Sequence, residues 1–451
     1  MKNNEFKKKL MKLVIPITLQ NFMLALVGVS DTVMMGFLNQ NSLSAVSLAG
    51  QIQFVLCLFV FAVTGGVSIL VAQYWGIKDK DSVEKILAIG FRFLAPISLF
   101  FTLITCIFPE ILMKCFASDP ALISIGTEYL KVVAPSYLFI GISQLFLCIM
   151  KNCGNAGRSS LISSAGVILN IILNWLLIFG VGPFPRMEAK GAALATVIST
   201  AFQLICPMIF MLKKDSLKMR LRYVIHSDRS FMKDYMKYTL PLLGNQLAYG
   251  LGFTMYSVIL GHLGSDAAAA NSIANIIKNL AICVCQGVAS ASAVIIGAEL
   301  GQGNIETARE YGSKFCKMSL ISGFISGALI LCMIPFVSLF DSISTTAQSY
   351  LKIMLIVCSY YVIGKAMNMT VIGGIFPSGG DSKFGFKCDT ITMWCVTVPI
   401  GLIFAFVLKL PVLAVYISIN IDEIIKLPAV YKHYKKYNWL NNLTKKPVEV
   451  S

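Results

Sequence analysis

The chain has 451 residues, of which 56% are hydrophobic and 13% are charged, and its formal net charge is +16. Soluble domains carry about 25% charged residues, so this composition excludes a soluble globular protein and favours a helical membrane protein. A large positive charge can also indicate nucleic-acid binding. No RNA- or DNA-binding motif accompanies it, and membrane proteins concentrate Lys and Arg in their cytoplasmic loops. We therefore predict membrane lipids and no nucleic acid as partners.

Apolar runs separated by clusters of charge predict twelve transmembrane helices, each near the ~20 residues that cross a bilayer. The first run follows a basic N-terminus and has no cleavage pattern, so we expect an uncleaved helix rather than a signal peptide. The predicted fold class is all-α integral membrane. The runs lie at 13–38, 52–76, 93–112, 129–150, 161–183, 191–212, 238–262, 279–300, 316–338, 350–376, 386–408 and 411–431.

Lys and Arg are distributed unevenly between the two ends of these runs. With the N-terminus inside, the inner segments carry 30 of them and the outer ends carry seven. The positive-inside rule then predicts a multi-pass protein of the bacterial inner (plasma) membrane with both termini in the cytoplasm. The seven outer residues are Lys114, Lys131, Arg186, Lys190, Lys278, Lys352 and Lys409.

The chain repeats itself at a shift of 225 residues, with Pro16 matching Pro241 and Gly36 matching Gly261. An even number of spans per copy gives both copies one orientation, as in transporters whose halves are related by an axis along the membrane normal. We therefore predict two pseudo-symmetric six-helix bundles around a central cleft. The predicted parts are an N-terminal lobe at 1–212, a cytoplasmic basic linker at 213–237, a C-terminal lobe at 238–431 and a cytoplasmic tail at 432–451.

Asp31 lies deep inside the first apolar run, and Tyr256 takes its place in the second copy. A charge near the bilayer centre costs about 2.5–3.5 kcal/mol, so such a residue needs a partner or a task. One interpretation is a structural hydrogen bond to a neighbouring Ser, Thr or Asn. The other is a site for H⁺ or Na⁺. Because burial favours the protonated form of a carboxyl group, a proton could bind and leave as the site faces each side in turn.

Asn170 and Asn174 lie one turn apart on one face of the fifth span, at a depth close to that of Asp31. Amides inside a membrane protein usually bond across helices, so these two either hold helices together or contribute to an ion site. The sixth span opens with GAALAT, whose small residues favour close packing and whose Thr196 adds a hydroxyl.

Lys365 lies in the tenth span with Asn368 less than a turn away. A buried Lys pairs with an acid, loses its proton or faces water. We take Tyr256, Lys365 and Asn368 as candidate cleft residues. Five acidic residues near the span ends are scattered, and we expect them at the membrane interface rather than in a site; they are Glu110, Glu299, Asp389, Asp422 and Glu423.

No nucleotide-binding pattern and no nucleophile–base spacing typical of an enzyme occurs in the sequence. The three histidines and 13 cysteines show no metal-ligand spacing. We therefore predict that the protein is not an enzyme and uses no cofactor or metal. Uphill transport would then depend on an H⁺ or Na⁺ gradient.

Three stretches resemble the multidrug and toxic-compound extrusion (MATE) family: VSDTVMMGFLNQNSLSAVSLA, VILNIILNWLLIFG followed by KGAALAT, and GGDSKFGFKCDTITMWCVTVPIG. The resemblance covers nearly the whole chain, including both repeats. It implies two lobes around a cleft that opens alternately to each side, and export of amphipathic, often cationic compounds in exchange for H⁺ or Na⁺. It also implies an ion site at Asp31, Asn170, Asn174 and Thr196, and a helix bend at Pro16.

The chain departs from the family pattern at several positions. Many members have Asp where this chain has Asn174, and some have acids on the helices that here carry Tyr256 and Lys365. Pro377 stands where a subgroup often has Arg. A lipid-linked oligosaccharide flippase of the same broad superfamily remains an alternative, and an integral-membrane lipid-modifying enzyme is a second one. We expect a monomer that handles small amphipathic organic compounds.

Overall fold

The computed structural model describes residues 2–212, 217–226, 228–339 and 344–444, which form helices and contain no strand. The α-helices are α1 (Lys2–Gly36), α2 (Gln40–Gly76), α3 (Lys80–Ile107), α4 (Pro109–Phe116), α5 (Pro120–Met150), α6 (Ala156–Phe179), α7 (Glu188–Met211), α8 (Leu221–Ile225), α9 (Arg229–His262), α10 (Ser265–Gly301), α11 (Ile305–Cys332), α12 (Thr345–Thr370), α13 (Phe376–Ser378), α14 (Ser382–Thr390), α15 (Val398–Leu402), α16 (Val412–Ile419) and α17 (Asp422–Tyr434). Segments of π-helix lie at Val371–Ile375, Ile391–Thr397 and Ile403–Val407, and a 3₁₀-helix lies at Ile334–Leu339. A kinked segment, Lys151–Asn155, joins α5 to α6.

Nine helical segments in the described part of the chain are long and apolar enough to cross a membrane. They cover ten of the twelve predicted spans, because the stretch Pro120–Phe179 contains two of them, α5 and α6. These two helices meet at a kink, where Gly154 has a left-handed backbone with φ 80°. The seventh and twelfth predicted spans are not among the nine. The all-helical membrane fold is thus confirmed, and the count of twelve stays a prediction.

The last predicted span, 411–431, is not one helix. Helix α16 ends at Ile419, Asn420 caps it with φ −100° and ψ 19°, and α17 begins at Asp422. Two acids, Asp422 and Glu423, lie in the first turn of α17, where the positive end of the helix dipole favours negative charge. The break therefore comes where the sequence changes from apolar to charged residues.

The described residues divide into two compact units. We call them the Asp31 unit, Leu19–Val71 and Asp79–Thr239, and the Lys365 unit, Met1–Thr18, Ala72–Lys78 and Leu240–Ser451. Three of the four boundaries fall inside α1, α2 and α9, and the fourth lies between α2 and α3. The predicted lobes at 1–212 and 238–431, as continuous stretches of sequence, stay a prediction.

The predicted linker at 213–237 contains α8 and the start of α9, while residues 213–216 and 227 lie outside the described residues. Its side chains hold it to α3 within the Asp31 unit. The Tyr223 hydroxyl donates to Asp81 at 2.6 Å, and the Arg220 guanidinium lies 2.7 Å from the buried Glu84 carboxylate. Residues 445–451 of the predicted tail also lie outside the described part.

Helices α6 and α7 approach each other closely in the Asp31 unit, where α7 also packs on α5. A Cβ atom added at Gly191 of α7 would lie 2.7 Å from the backbone oxygen of Leu177 on α6. Ala193 and Ala195 of α7 are fully buried. These small residues permit the close packing that the GAALAT stretch predicts.

In the Lys365 unit, α10, α11 and α12 pack on one another around a core of buried aliphatic and aromatic side chains. A second core forms where Phe6 and Leu10 of α1 pack with residues of α10 and α11. The fully buried Trp439 belongs to this second core.

Residues 435–444, which we call the C-terminal segment, are attached to the Lys365 unit by Trp439 and by Gln73. The fully buried Gln73 side chain donates to the carbonyl of Asn441 at 3.1 Å and accepts from the amide of Leu443 at 2.6 Å. A Cβ atom added at Gly312 would lie 2.7 Å from the Trp439 ring, so a glycine makes room for the indole.

Candidate functional site

Asp31 of α1 is paired with Asn174 of α6. The Asn174 amide nitrogen donates to the Asp31 carboxylate at 2.6 Å and to the Asn170 side-chain oxygen at 3.2 Å. Because residues four apart on a helix share one face, the two asparagines form a continuous row of amides that ends at the carboxylate. The acid inside the first apolar run therefore has a polar partner on another helix.

The row continues from α6 to α7. The Asn170 amide nitrogen lies 3.5 Å from the Thr196 hydroxyl and donates to the Ser199 hydroxyl at 3.3 Å. Thr196 and Ser199 donate in turn to backbone carbonyls of α7. The structure thus brings together all four residues predicted as an ion site and adds Ser199. We call these five residues the Asp31 network.

The oxygen atoms of this network are of the kinds that protons and small cations accept as partners. Asn174 is fully buried, and its side-chain oxygen is among the buried acceptors of the described residues that have no hydrogen-bond partner. Carboxylate, amide and hydroxyl oxygens are hard ligands. The residues therefore fit either a proton on the Asp31 carboxylate or a cation held by oxygen atoms.

Pro16 lies inside α1, which is helical from Lys2 to Gly36. The division between the two units falls between Thr18 and Leu19, two residues after this proline. Proline lacks an N–H and its ring clashes with the preceding turn. The backbone hydrogen bonding of α1 is therefore weaker close to this division. The bend at Pro16 stays a prediction.

Lys365 and Asn368, predicted as cleft residues, converge on one buried acid of the Lys365 unit. The Lys365 ammonium lies 2.8 Å from the Glu423 carboxylate, and Asn368 donates to the other oxygen of that carboxylate at 2.8 Å. Asn368 also donates to the Glu423 backbone carbonyl at 2.7 Å. A buried ammonium needs such a partner because an unpaired charge is costly there.

A second lysine connects this pair to further acids. Lys426 lies 2.9 Å from Asp389 on α14, 3.1 Å from Glu423 and 3.9 Å from Asp422. The expectation that these three acids are scattered is wrong, because all three share Lys426, and Asp422 and Glu423 are 2% and 1% exposed. We call Lys365, Asp389, Asp422, Glu423 and Lys426 the Lys365 cluster.

Tyr256, the third predicted cleft residue, takes part in a separate contact. Its hydroxyl lies 2.6 Å from the hydroxyl of Thr397, which is fully buried. Asn245, on the same helix α9, donates to Asp389 at 3.0 Å. Helix α9 thus places polar groups in the interior of the Lys365 unit. These polar residues lower its hydropathy, and α9 is not among the nine segments that are apolar enough to cross a membrane.

Sequence reasoning missed Ser199 and most of the Lys365 cluster. Ser199 lies three residues after Thr196, on the same helical face, so the spacing could have identified it. Asp422, Glu423 and Lys426 have i, i+1 and i+4 spacing, which puts Lys426 next to both acids on a helix. The charges within the predicted span 411–431 were the available signal.

The chain was also compared with known proteins. The MatE family model matches residues 16–176 and 241–403, one match in each half of the chain. The chain belongs to the MATE family. Its sequence is 23% identical over 430 residues to the uncharacterized transporter YisQ of Bacillus subtilis, covering 94% of this chain and 93% of YisQ.

Further MATE relatives have names that state a role. The chain is 24% identical to the probable multidrug resistance protein NorM of Thermotoga maritima, covering 94% of this chain and 90% of the relative. It is 27% identical to the probable multidrug resistance protein NorM of Burkholderia pseudomallei, covering 88% and 85%. The family assignment and the apolar helices together make this chain a multi-pass membrane protein.

Solved structures share the fold. A MOP-superfamily transporter from Pyrococcus furiosus, described as having a binding pocket of reverse polarity, has a TM-score of 0.87 at 20% identity and covers 96% of both chains. An outward-facing multidrug resistance MATE transporter has a TM-score of 0.83 at 20% identity, covering 98% of this chain and 97% of that one. At this identity the likeness concerns the fold alone.

Proposed function

We propose that this MATE protein is a multidrug exporter that moves amphipathic, often cationic organic compounds out of the cell in exchange for H⁺ or Na⁺. The main support is the Asp31 network, in which a membrane-embedded carboxylate meets a buried amide at 2.6 Å. Relatives named as multidrug resistance proteins from Thermotoga maritima and Burkholderia pseudomallei support the substrate class.

In this proposal the Asp31 carboxylate holds the coupling ion. Asn174 orients the carboxylate through its amide nitrogen and leaves its own side-chain oxygen free for a cation. Asn170 fixes the Asn174 amide, and Thr196 and Ser199 tie Asn170 to α7. Exchange follows when ion and compound stabilise different conformations, so that binding of one favours release of the other.

The proposed location is the inner membrane of a bacterial cell, with both termini in the cytoplasm. The support is the concentration of Lys and Arg, 30 against seven, in the segments predicted to lie on the same side of the membrane as the N-terminus. The protein acts as a monomer in this proposal and needs no bound cofactor.

The flippase alternative depended on Lys365 as a cationic group for a lipid-linked substrate. In the structure, the Lys365 ammonium lies 2.8 Å from Glu423 and 4.5 Å from the ring centroid of Tyr249. An ammonium engaged by a carboxylate is a poor ligand for an anionic substrate, so this contact favours the exporter.

Uptake of a panel of fluorescent dyes into inside-out membrane vesicles tests the proposal, with a pH gradient and a sodium gradient imposed separately. Wild-type protein should accumulate dye under one of the gradients. Asp31→Asn should abolish gradient-driven uptake while leaving expression intact, because an amide can neither carry a proton nor pair with a cation's charge.

Asp119→Asn is the matched control. Asp119 is the N-cap of α5, where its carboxylate accepts from the Ala121 amide at 2.8 Å. Asparagine caps helices about as well as aspartate, so this variant should transport like the wild type. Unchanged dye uptake by Asp31→Asn would refute the coupling role, and absence of driven uptake by the wild type would refute the exchange itself.

A further inference from the structure

The C-terminal ends of α2 and α10 pack directly against each other, and both ends belong to the Lys365 unit. A Cβ atom added at Gly76 of α2 would overlap the backbone oxygen of Ala298 on α10. One added at Gly301 of α10 would overlap the backbone oxygen of Gln73. The Gln302 side chain also donates to the Gly76 carbonyl at 3.1 Å. We call this contact the helix crossing.

The helix crossing is nearly symmetric in sequence. At the shift of 225 residues, Gly76 corresponds to Gly301, and Gln73 corresponds to Ala298. Each glycine therefore faces the backbone of a residue that is equivalent to the one its counterpart faces. The side chain of Gln73 breaks this symmetry, because Ala298 offers only a methyl group.

The Gln73 side chain binds the C-terminal segment, which follows the second copy and has no equivalent after the first. Gln73 is fully buried, and its amide nitrogen donates to the carbonyls of Ser378 at 2.7 Å and Asn441 at 3.1 Å. Its side-chain oxygen accepts from the Leu443 amide at 2.6 Å. Both N–H groups and the oxygen of this amide are thus used within the Lys365 unit.

The C-terminal segment also contacts the other helix of the crossing. The Asn442 side chain donates to the Gly301 carbonyl at 3.2 Å. Asn441 and Asn442, which are adjacent in the chain, therefore bond to α2 and to α10 respectively. The buried Trp439 holds the segment in place, and its backbone oxygen lies so close to Gly379 that a Cβ atom there would overlap it.

The end of α2 is connected on both sides to the Asp31 unit. The stretch Ala72–Lys78 belongs to the Lys365 unit, whereas the chain directly before and after it belongs to the Asp31 unit. Alternating access in transporters built from two bundles moves one bundle against the other. Such a movement would pull the end of α2 away from α10 or bend the chain at both ends of this stretch. The bonds to the C-terminal segment oppose the separation of α2 from α10.

We propose that the C-terminal segment is a latch, which holds the helix crossing closed and thereby limits how often the protein opens at its predicted cytoplasmic side. Gln73 and Asn442 are the contact points of the latch on α2 and α10. For the end of α2 to leave α10, every hydrogen bond of the Gln73 side chain to the segment must break. The proposal rests on the exchange cycle proposed above, since a latch has a task only in a protein that opens to each side in turn.

A pair of spin labels tests the latch in purified full-length protein in lipid nanodiscs. Lys78→Cys and Glu306→Cys, in a background without the native cysteines, place one label just after α2 and one at the start of α11, both at exposed positions. Electron paramagnetic resonance then measures the distances between the labels. A closed crossing gives a short distance and an open crossing a longer one.

Gln73→Ala should raise the ratio of long to short distances by about tenfold or more, because three buried hydrogen bonds are lost. Asn442→Ala should raise the same ratio less, since it loses the bond to α10 and leaves those of Gln73 intact. Gln51→Ala is the matched control. It makes the same substitution on the same helix at an exposed side chain, and it should keep the wild-type ratio.

Ratios no higher than the wild-type ratio in both Gln73→Ala and Asn442→Ala would overturn the latch. An equal rise in Gln51→Ala would overturn it as well, because the effect would then not depend on the C-terminal segment. Failure of the exporter proposal is distinguishable, because it appears as absent dye uptake in vesicles, whereas the distances are measured without a gradient or a dye.

Discussion

Tyr256 holds the place in the second half of the chain that Asp31 holds in the first, and the two residues make different contacts. Asp31 accepts from an amide at 2.6 Å, whereas the Tyr256 hydroxyl meets that of Thr397 at 2.6 Å. Both contacts join the first helix of a repeat to a later helix. The repeat therefore preserves a polar contact at this position but keeps a carboxylate in only one half. The acids of the second half come instead from α14 and α17.

At the same scale, we expect Lys365→Met to lower stability by about 3 kcal/mol, because removing one partner of a buried ion pair leaves an uncompensated charge. Glu423 would then have Lys426 at 3.1 Å as its remaining ammonium partner, beside the neutral amide of Asn368 at 2.8 Å. The double variant Lys365→Met/Glu423→Gln should recover much of the loss, since the charge is then removed as well. The measurement is Tm in detergent.

Lys9→Met provides the comparison. Lys9 lies 3.5 Å from Glu299 but its side chain is 47% exposed, and exposed pairs contribute about 0–1 kcal/mol. If the Lys9 and Lys365 variants lost Tm equally, the Lys365–Glu423 pair would not be more stabilising than an exposed pair.

At the scale of elements, the close approach of α6 and α7 positions the Asp31 network. Gly191→Ala should separate these helices and weaken dye uptake in vesicles, because the added Cβ would lie 2.7 Å from the Leu177 oxygen. Gly157→Ala, on α6 with nothing within 4 Å of its Cβ, should leave uptake unchanged. Normal transport by the Gly191 variant would show that the spacing of α6 and α7 is not limiting.

The C-terminal segment is a second element whose role follows from its contacts. Trp439→Ala should lower Tm strongly, because truncating a buried Trp costs about 3–5 kcal/mol and Trp439 is fully buried. Tyr431→Ala on α17, where the side chain is 64% exposed, should change Tm little. A chain ending at residue 444 should have the Tm of the full chain. A chain ending at residue 435 should have a Tm as low as that of the Trp439 variant. If the longer chain instead had the lower Tm, a stabilising role for the C-terminal segment would be excluded.

For the whole molecule, the number of spans depends in part on whether α9, the seventh predicted span, crosses the membrane. Its polar residues lower its hydropathy, so α9 is not among the nine segments that are apolar enough to cross a membrane. Its 34 residues are nevertheless long enough to cross a bilayer. We expect Asp228→Cys and Ser265→Cys, in a background without the 13 native cysteines, to react with an impermeant maleimide from opposite sides of the membrane. If both cysteines were labelled from the same side, α9 would not cross the membrane. The number of spans would then be lower, and the predicted orientation of every later span would be reversed.

The sequence alone determined the fold class, the twofold repeat and the four predicted members of the Asp31 network. Long apolar runs need no tertiary information, because a helix is the way a single segment satisfies its backbone in lipid. Asp31, Asn170 and Asn174 were identifiable because polar groups are rare and costly in such runs.

The partners of the charges in the second half became known from the folded chain. Asp389, Asp422 and Glu423 are up to 34 positions apart along the chain, and packing of α17 against both α12 and α14 brings them to two lysines. Sequence position near a span end suggested an exposed interface, whereas burial depends on what packs against each side chain.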